Sequence, residues 1–325
     1  MIFAEIGNFE SFYTGCIKVH NRTMGVQTVS LLSDWGTADY YVSVVKAKLY
    51  AYIPDVRIVD ISHRVFRDDI YSAAFMMLNA YPYFPDDTIH IIGVNGIASV
   101  KTPHLVVRFE NQWFIGADNG FFSALQVFTG KSLQEVYEID LWQETDIYTF
   151  PGRDLFPKAA ALLAAHRPMV EIGRPFTLNL KKLNYIGAQK TPEKDRFGRQ
   201  IGIRLLGRVL YIDSFGNICT NITRSLYESC LKEYPVKDLY IGGQRIPFKL
   251  SKAYMDVEEG DFAFIFLENG FLEISINRGF ASDYLGVDRP LYDNVDTPGI
   301  VGTVTPRMEN VRNRPVAITF IPNLY

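Results

Sequence analysis

Between Thr28 and Leu32 the chain is apolar and β-rich, then breaks on Ser33-Asp34-Trp35-Gly36 and turns to helical spacing through Thr37-Ala38-Asp39-Tyr40-Tyr41-Val42. A short strand that stops on Asp-x-Gly before a helix is the opening of an α/β unit. It leaves a carboxylate at the carboxyl end of a strand, beside a helix N-terminus, where open α/β sheets bind ligands. The plainer reading is that Asp34 caps the helix.

The same alternation continues. Tyr41, Val42, Val45, Leu49 and Tyr52 share one helical face, and Pro54 ends that helix. Residues 57–61 read as a buried strand closing on Ser62-His63. Asp68 or Asp69 caps a second helix with Ile70, Ala73, Ala74, Met77 and Leu78 on its apolar face. Residues 88–94 make a third strand, and 105–109 with 112–115 a hairpin. A short helix surrounds Phe122 and Leu125, and the Ala-rich stretch 154–166 is a clear helix. This half reads as a mixed, mostly parallel sheet with flanking helices.

After Gly173 the pattern changes. Residues 180–200 hold Lys-Lys and Thr-Pro-Glu-Lys-Asp-Arg with no periodic apolar face, so they suit a linker or surface excursion. Short strand candidates follow at 201–212, 218–222, 239–241, 262–267, 271–276, 300–304 and 316–320, which suits an all-β, barrel-like domain. The expected division is an extension (1–26), an α/β domain (27–180), a linker (181–200) and a β-barrel domain (201–325). A chain of 325 residues favours two domains in any case.

Composition excludes several classes of function. With 33 basic and 36 acidic residues and no dense Lys/Arg stripe, nucleic acid is not an expected partner. Cys16, Cys219 and Cys230 are too few and too scattered for a disulfide framework or a metal knuckle, which points to a reducing, cytoplasmic setting. No run approaches the roughly 18 apolar residues of a membrane helix, and residues 1–26 lack the pattern of a signal peptide.

The order of the motifs is more specific than any one of them. Ser33-Asp34-Trp35-Gly36, Asp60-Ile61-Ser62-His63 and Tyr83-Phe84-Pro85 with Thr88-Ile89-His90 come first. Asp118-Asn119-Gly120, Phe150-Pro151-Gly152-Arg153-Asp154, Asp213-Ser214-Phe215-Gly216-Asn217, Thr220-Asn221 and Asn277-Arg278-Gly279 follow. In that order they resemble the S-adenosylmethionine hydrolases (hydroxide adenosyltransferases) and the related fluorinase and chlorinase, from about Thr28 to about Leu285. The resemblance implies an α/β domain followed by a β-barrel domain, assembled as a homotrimer with the site between subunits. S-adenosylmethionine or adenosine is the implied ligand, with no cofactor and no metal.

By that resemblance Asp34 grips the ribose hydroxyls, with Trp35 beside it. Phe150, Asp213, Phe215, Asn217 and Tyr254 line the cleft, Asn277 lies at the adenine edge, and Glu268 meets the amino-acid head group. Each has a plainer reading: the phenylalanines as core, Asp213 to Asn217 as an ordinary turn, Asn277 as a turn residue. The family's water-holding Asp, Arg and His are replaced here by Asn95, Thr102 and Pro151. An amide is no base near neutral pH, and proline has neither a titratable group nor a donor. Lys101 and His104 stand close by as possible substitutes, and Arg153 with Asp154 survive from their motif.

Three readings follow. The first is an enzyme that substitutes at ribose C5′ and releases methionine. The second is a non-catalytic adenosyl-ligand binder. The third is a metal-dependent hydrolase using Asp34, Asp39, Asp60 and His63, against which Asp39 reads more simply as the first-turn acid of its helix.

Overall fold

The computed structural model describes residues 26–97, 102–142, 149–241, 243–287 and 315–320. Two sheets organise them. The first joins β1 (Thr28–Ser33), β2 (Arg57–Ser62), β3 (Ile89–Gly93), β4 (His104–Phe109), β5 (Gln112–Ala117), β6 (Glu135–Ile139) and β7 (Gly173–Pro175) in the order β2-β1-β3-β5-β4-β6-β7. Pairing is parallel from β2 to β5 and antiparallel beyond it, so this is a mixed sheet. β1 is buried along its whole length, as a strand between two parallel neighbours with both faces covered must be.

Helices α1 (Tyr41–Tyr52), α2 (Ile70–Ala80), α3 (Phe121–Thr129), α4 (Pro151–Asp154) and α5 (Phe156–Ala164) flank this sheet. On one face Val45 and Leu49 of α1 and Phe156, Ala159 and Ala160 of α5 pack over Val29, Leu31 and Ile91. The opposite face takes Ala73, Ala74 and Met77 of α2 and Phe121, Phe122 and Leu125 of α3.

The second sheet is antiparallel and curls into a half-barrel. It joins β8 (Gln189–Lys194), β9 (Gln200–Ile212), β10 (Ile218–Thr223), β11 (Val236–Ile241), β12 (Gln244–Pro247), β13 (Phe262–Phe266), β14 (Phe271–Ile276) and β15 (Pro315–Phe320). Its order is β12-β11-β15-β9-β10-β14-β13, with β8 also on β9. Helices α6 (Arg224–Leu231) and α7 (Ala281–Tyr284) accompany it. The two sheets meet where Leu210, Cys219 and Phe271 join the core beneath α2 and α3. Phe75 stacks on Tyr211 there at 5.1 Å, and Phe128 meets Phe271 edge-on at 6.0 Å.

Several local expectations are corrected. Residues 189–194 form strand β8, paired with β9, where no regular element was expected. It carries polar residues and a proline, half-buried at Thr191 and Glu193 and exposed elsewhere, so it shows no apolar alternation. Of the two expected caps of α2, Asp69 is the one: its carboxylate accepts from Ser72 N–H at 3.0 Å and from Ser72 Oγ–H at 2.6 Å. The Ala-rich helix is preceded by α4, with Pro151 in its first turn, and the two are separated at Leu155. α1 begins at Tyr41 and has no acid in its first turn, so Asp39 precedes the helix. Strands β6 and β7 and helix α6 were not anticipated, and the strand expected at 300–304 lies outside the described residues.

One buried histidine makes stability depend on pH. His90 on β3 is fully buried, and Gln112 fixes its tautomer: the Gln112 amide donates to Tyr81 and Phe84 carbonyls, leaving Oε1 to accept Nε2–H at 2.8 Å. Nδ1 is therefore bare and accepts the Ser30 hydroxyl hydrogen. Burial pushes His90 down from 6.5 to about 4. The unfolded chain then binds the proton more readily, so stability is complete above about pH 6.5 and is lost as pH falls through about 4. That loss comes to about 3 kcal/mol. Urea unfolding at neutral pH and near pH 4 measures it; a midpoint that does not move contradicts it.

Candidate functional site

At the carboxyl end of β1 the chain turns out of the sheet, and Asp34 points across to the ends of β2 and β3. Its Oδ2 accepts the backbone N–H of Asp68 at 3.0 Å and that of Asn95 at 3.1 Å. Both donors stand in left-handed backbone, Asp68 at φ 63° and Asn95 at φ 45°, a conformation uncommon for any residue but glycine. One carboxylate oxygen thus holds two turns in unfavourable geometry, and such turns persist where the surroundings over-determine them. Oδ1 takes no hydrogen bond from any other described residue. Burial pushes the Asp34 carboxyl above 3.8, and the two N–H donors draw it partly back.

Trp35 fills the space behind this carboxylate. Its indole lies parallel to the His63 ring (12°, 6.3 Å between centroids) and meets Phe150 edge-on at 5.4 Å. Phe150 in turn meets Tyr41 of α1 edge-on at 5.3 Å. The indole fits because two neighbours have no side chain. A Cβ on Gly93 at the end of β3 would stand 2.2 Å from Trp35 Cζ2, and one on Gly152 of α4 would stand 2.5 Å from it. Asp34, Trp35, Asn95 and Phe150 are therefore brought together, with Pro151 buried at the start of α4 beside Gly152.

The remaining residues of this end are committed to the scaffold. His104 opens β4, and its Nε2–H donates to the Gly96 carbonyl at 2.8 Å while Phe156 meets its ring edge-on. Burial pushes its pKa below 6.5. Thr102 is half-buried two residues before β4, and Lys101 lies outside the described residues. Arg153 pairs with both oxygens of Asp154, at 2.6 and 2.7 Å.

A second group sits on the other sheet. Asp213 Oδ1 accepts the backbone N–H of Phe215 and of Asn217, each at 2.9 Å, and Oδ2 accepts Asn217 Nδ2–H at 3.0 Å. This closes a tight turn that presents Phe215, 73% exposed, at its tip. Burial pushes Asp213 above 3.8, against the pull of the Asn217 and Phe215 amides. Tyr254 donates its hydroxyl to Glu273 Oε1 at 2.9 Å, and Asn277 gives its amide hydrogen to the Val257 carbonyl at 2.9 Å. Glu268 accepts the hydroxyl of Tyr83, just past the C-terminal end of α2, whereas Asp34 is tied to the N-terminal end of that helix. Asp34, Trp35, Asn95 and Phe150 thus stand together at the first sheet, while Asp213, Phe215 and Asn217 share one turn of the second, with Tyr254 and Glu273 within electrostatic reach of Asp213 and Asn277 bonded separately to Val257.

The metal reading finds no support: among the described residues no group of three or more His, Cys, Asp and Glu is arranged to hold an ion. Asp60 is instead paired with Lys46. Two residues have organising roles that the sequence did not assign to them. Asn119 donates to the carbonyls of Val94 and Asn95 at 2.9 and 3.1 Å and so pins the turn that meets Asp34. Glu273 is a buried acid on β14 that collects Tyr254, Ser275 and Cys219. Burial pushes its carboxyl above 4.5, and the Ser275 and Tyr254 hydroxyls lower it. A glutamate inside the otherwise apolar run Phe271-Leu272-Glu273-Ile274 was the available signal.

Comparison with known proteins places this geometry in a context. The model of the SAM hydroxide adenosyltransferase N-terminal domain matches residues 29–173, and that of the C-terminal domain matches residues 207–290. An (R)-S-adenosyl-L-methionine hydrolase of Thermus thermophilus is 28% identical over 272 residues, covering 81% of this chain and 96% of that protein. One of Methanocaldococcus jannaschii is 28% identical over 280 residues, covering 83% and 96%. Among solved structures, an uncharacterized conserved protein from Thermotoga maritima superposes with a TM-score of 0.70 at 25% identity, over 89% of this chain and 99% of that one.

Proposed function

The chain belongs to the SAM hydroxide adenosyltransferase family, and from that premise we propose that the Asp34 turn anchors the ribose of S-adenosylmethionine or adenosine. The observation that carries the reading is the Asp34 carboxylate itself. It stands at the carboxyl ends of parallel strands, with Oδ2 fixed by two backbone donors and Oδ1 left for the paired ribose hydroxyls. Vicinal hydroxyls are two adjacent donors, and a held carboxylate is their natural acceptor.

The reaction at this site is substitution at C5′ of the ribose. Water or hydroxide forms the new C–O bond, the C5′–S bond breaks, and methionine leaves with the electron pair as a neutral thioether. The surplus proton goes to solvent. A sulfonium is already a good leaving group, so the protein has to align the nucleophile and keep the site dry, a task for Trp35 and Phe150. Asn95, Thr102 and Pro151 supply no base. Turnover is therefore slower than a base-assisted reaction by about a hundredfold to ten-thousandfold.

The same three residues favour a second reading, a non-catalytic adenosyl-ligand binder. In both readings the chain is a cytoplasmic homotrimer, with limits near 27–180 and 201–325 for its two domains. The Asp213, Phe215, Asn217, Tyr254 and Asn277 cluster of one subunit faces the Asp34 cluster of the next, with Glu268 toward the methionine end. The exposed Phe215 and Met255 support this, since a covered interface suits them better than water.

Incubating the purified protein with S-adenosylmethionine, with chromatography for adenosine and methionine and calorimetry for adenosine binding, tests the reading. Slow product formation above the buffer blank is the expected result. Binding without product leaves the second reading, and neither binding nor product defeats both.

A further inference from the structure

Behind Asp34 lies a polar chain, buried at Ser33 and His63 and open to solvent at Asp60 and Lys46, to which neither family resemblance nor proposed chemistry gives a task. Ser33, fully buried at the end of β1, has its Oγ 2.7 Å from Nδ1 of His63. Nε2 of His63 stands 3.1 Å from Oδ1 of Asp60, out of alignment for a good hydrogen bond. Oδ2 of Asp60 is bonded to Lys46 of α1. At the other end, Ser33 Oγ receives the backbone N–H of Trp35 at 3.5 Å. The backbone around His63 holds the same turn: its carbonyl accepts Gly36 N–H at 2.8 Å, and Val65 N–H donates to the Ser33 carbonyl at 3.3 Å.

The tautomer follows from the partners. The Asp60 carboxylate keeps the hydrogen on Nε2, so Nδ1 is bare and accepts the Ser33 hydroxyl hydrogen. Ser33 Oγ is then free to accept from Trp35. Protonation of His63 puts a second hydrogen between Nδ1 and Oγ. The Ser33 hydroxyl must then rotate inside a fully buried surround, away from the partner it held.

We propose that His63 is the positioning residue of the Asp34 turn: as neutral imidazole it locks Ser33, and through Ser33 and its ring face it sets Trp35 and the carboxylate beside it for ligand. Protonation releases the turn, so ligand capture weakens on the acid side. The inference rests on the adenosyl reading for its ligand and on nothing from it for its geometry. Among the described residues the charged groups facing His63 are Asp60 of its own strand end and Lys46 of α1. Burial pushes His63 below 6.5, Asp60 opposes that, and Lys46 adds to it. The neutral form therefore prevails at neutral pH, and the change falls below about 6.5.

The test compares the wild-type chain with His63→Asn, whose Oδ1 can accept the Ser33 hydroxyl but carries no titrating proton. Trp113→Phe and Trp142→Phe in both backgrounds leave Trp35 as the one tryptophan. Without ligand, Trp35 emission is expected to titrate as the pH falls below about 6.5 with His63 present and to stay flat in His63→Asn. With adenosine as the probe, affinity is expected to fall at least about fivefold over the same range, and to fall less in the variant. Ser33→Ala, a smaller change that cuts the link through the hydroxyl and leaves the His63 ring against the indole, is expected to weaken the Trp35 titration and the pH dependence of adenosine affinity, and serves if His63→Asn does not fold.

Flat emission in the wild-type background overturns the proposal. So does an affinity loss that is equal in both proteins, since Asp34 would then be the titrating group. Emission that titrates in the wild-type background and weakens in Ser33→Ala, while adenosine binds at no pH, upholds the coupling of His63 to the turn through Ser33 and defeats the adenosyl reading.

Discussion

Asp34→Ala is expected to abolish measurable adenosine binding. Two charge-assisted hydrogen bonds to the ribose go with the carboxylate, each worth about 1.5–3 kcal/mol, so affinity falls by at least a factor on the order of a hundred. The substitution also unties the left-handed turns at Asp68 and Asn95, which the same oxygen holds. Asp34→Asn separates the two effects. Its amide oxygen can still accept both backbone hydrogens, while the uncharged group, with an NH2 facing the ribose, binds poorly. Calorimetry is to show both variants defective, with urea unfolding showing the alanine protein less stable than the asparagine one. Adenosine binding retained by Asp34→Ala would remove the ribose anchor. Mixing extends the test to the interface between subunits. Asp34→Ala and Phe215→Ala proteins, each defective, regain part of their binding when refolded together if one subunit supplies Asp34 and its neighbour Phe215.

The second large effect concerns the space around Trp35. Gly93→Ala places a Cβ 2.2 Å from Cζ2 of a rigid indole, inside any van der Waals contact, so the ring must leave its stack on His63. Overpacking of this kind costs about 1–3 kcal/mol. Here the ring that moves also flanks the proposed nucleophile position, so binding declines with stability. Trp35→Phe removes the offending atoms, and the double substitution Trp35→Phe with Gly93→Ala is expected to recover most of the loss. A double-mutant cycle from urea midpoints measures the coupling. Additive effects would mean that Trp35 and Gly93 do not share this space.

Much of this arrangement could be read from the chain. The β1 turn, the cap near Asp69, the third strand and the hairpin of β4 and β5 all declare themselves by apolar runs that stop on polar pairs. Other elements gave no such signal. β8 is held by backbone pairing to β9 and carries polar side chains, so period-two patterning is missing from it. α6, reading Arg-Ser-Leu-Tyr-Glu-Ser-Cys-Leu, is too short and polar to stand out, and buries only Tyr227 and Cys230. At the site, the strand-end place of Asp34 was legible, since the apolar run of β1 stops beside it. The task of Asn119 was not, although the residue stands in the Asp118-Asn119-Gly120 motif, because its work is done by an amide reaching two carbonyls 24 and 25 residues back along the chain. Spacing also could not tell that Trp35 and Gly93 fit together as a large and a small residue.

The path of the second sheet also sets an order of assembly. β15 lies in the middle of that sheet, between β11 and β9, although it is the last of the described strands along the chain. Until it arrives, the ribbon of β11 and β12 has no strand partner in the larger half, and β9 and β11 each present an open backbone edge. Pairings of that sequence separation form slowly, and unpaired edges recruit other chains in the meantime. Residues 315–320 thus act as a closing stave. Folding yield in a crowded extract should depend on this short strand more than its size suggests, and clipping ahead of it would release aggregation-prone material while leaving the Asp34 half of the molecule chemically intact.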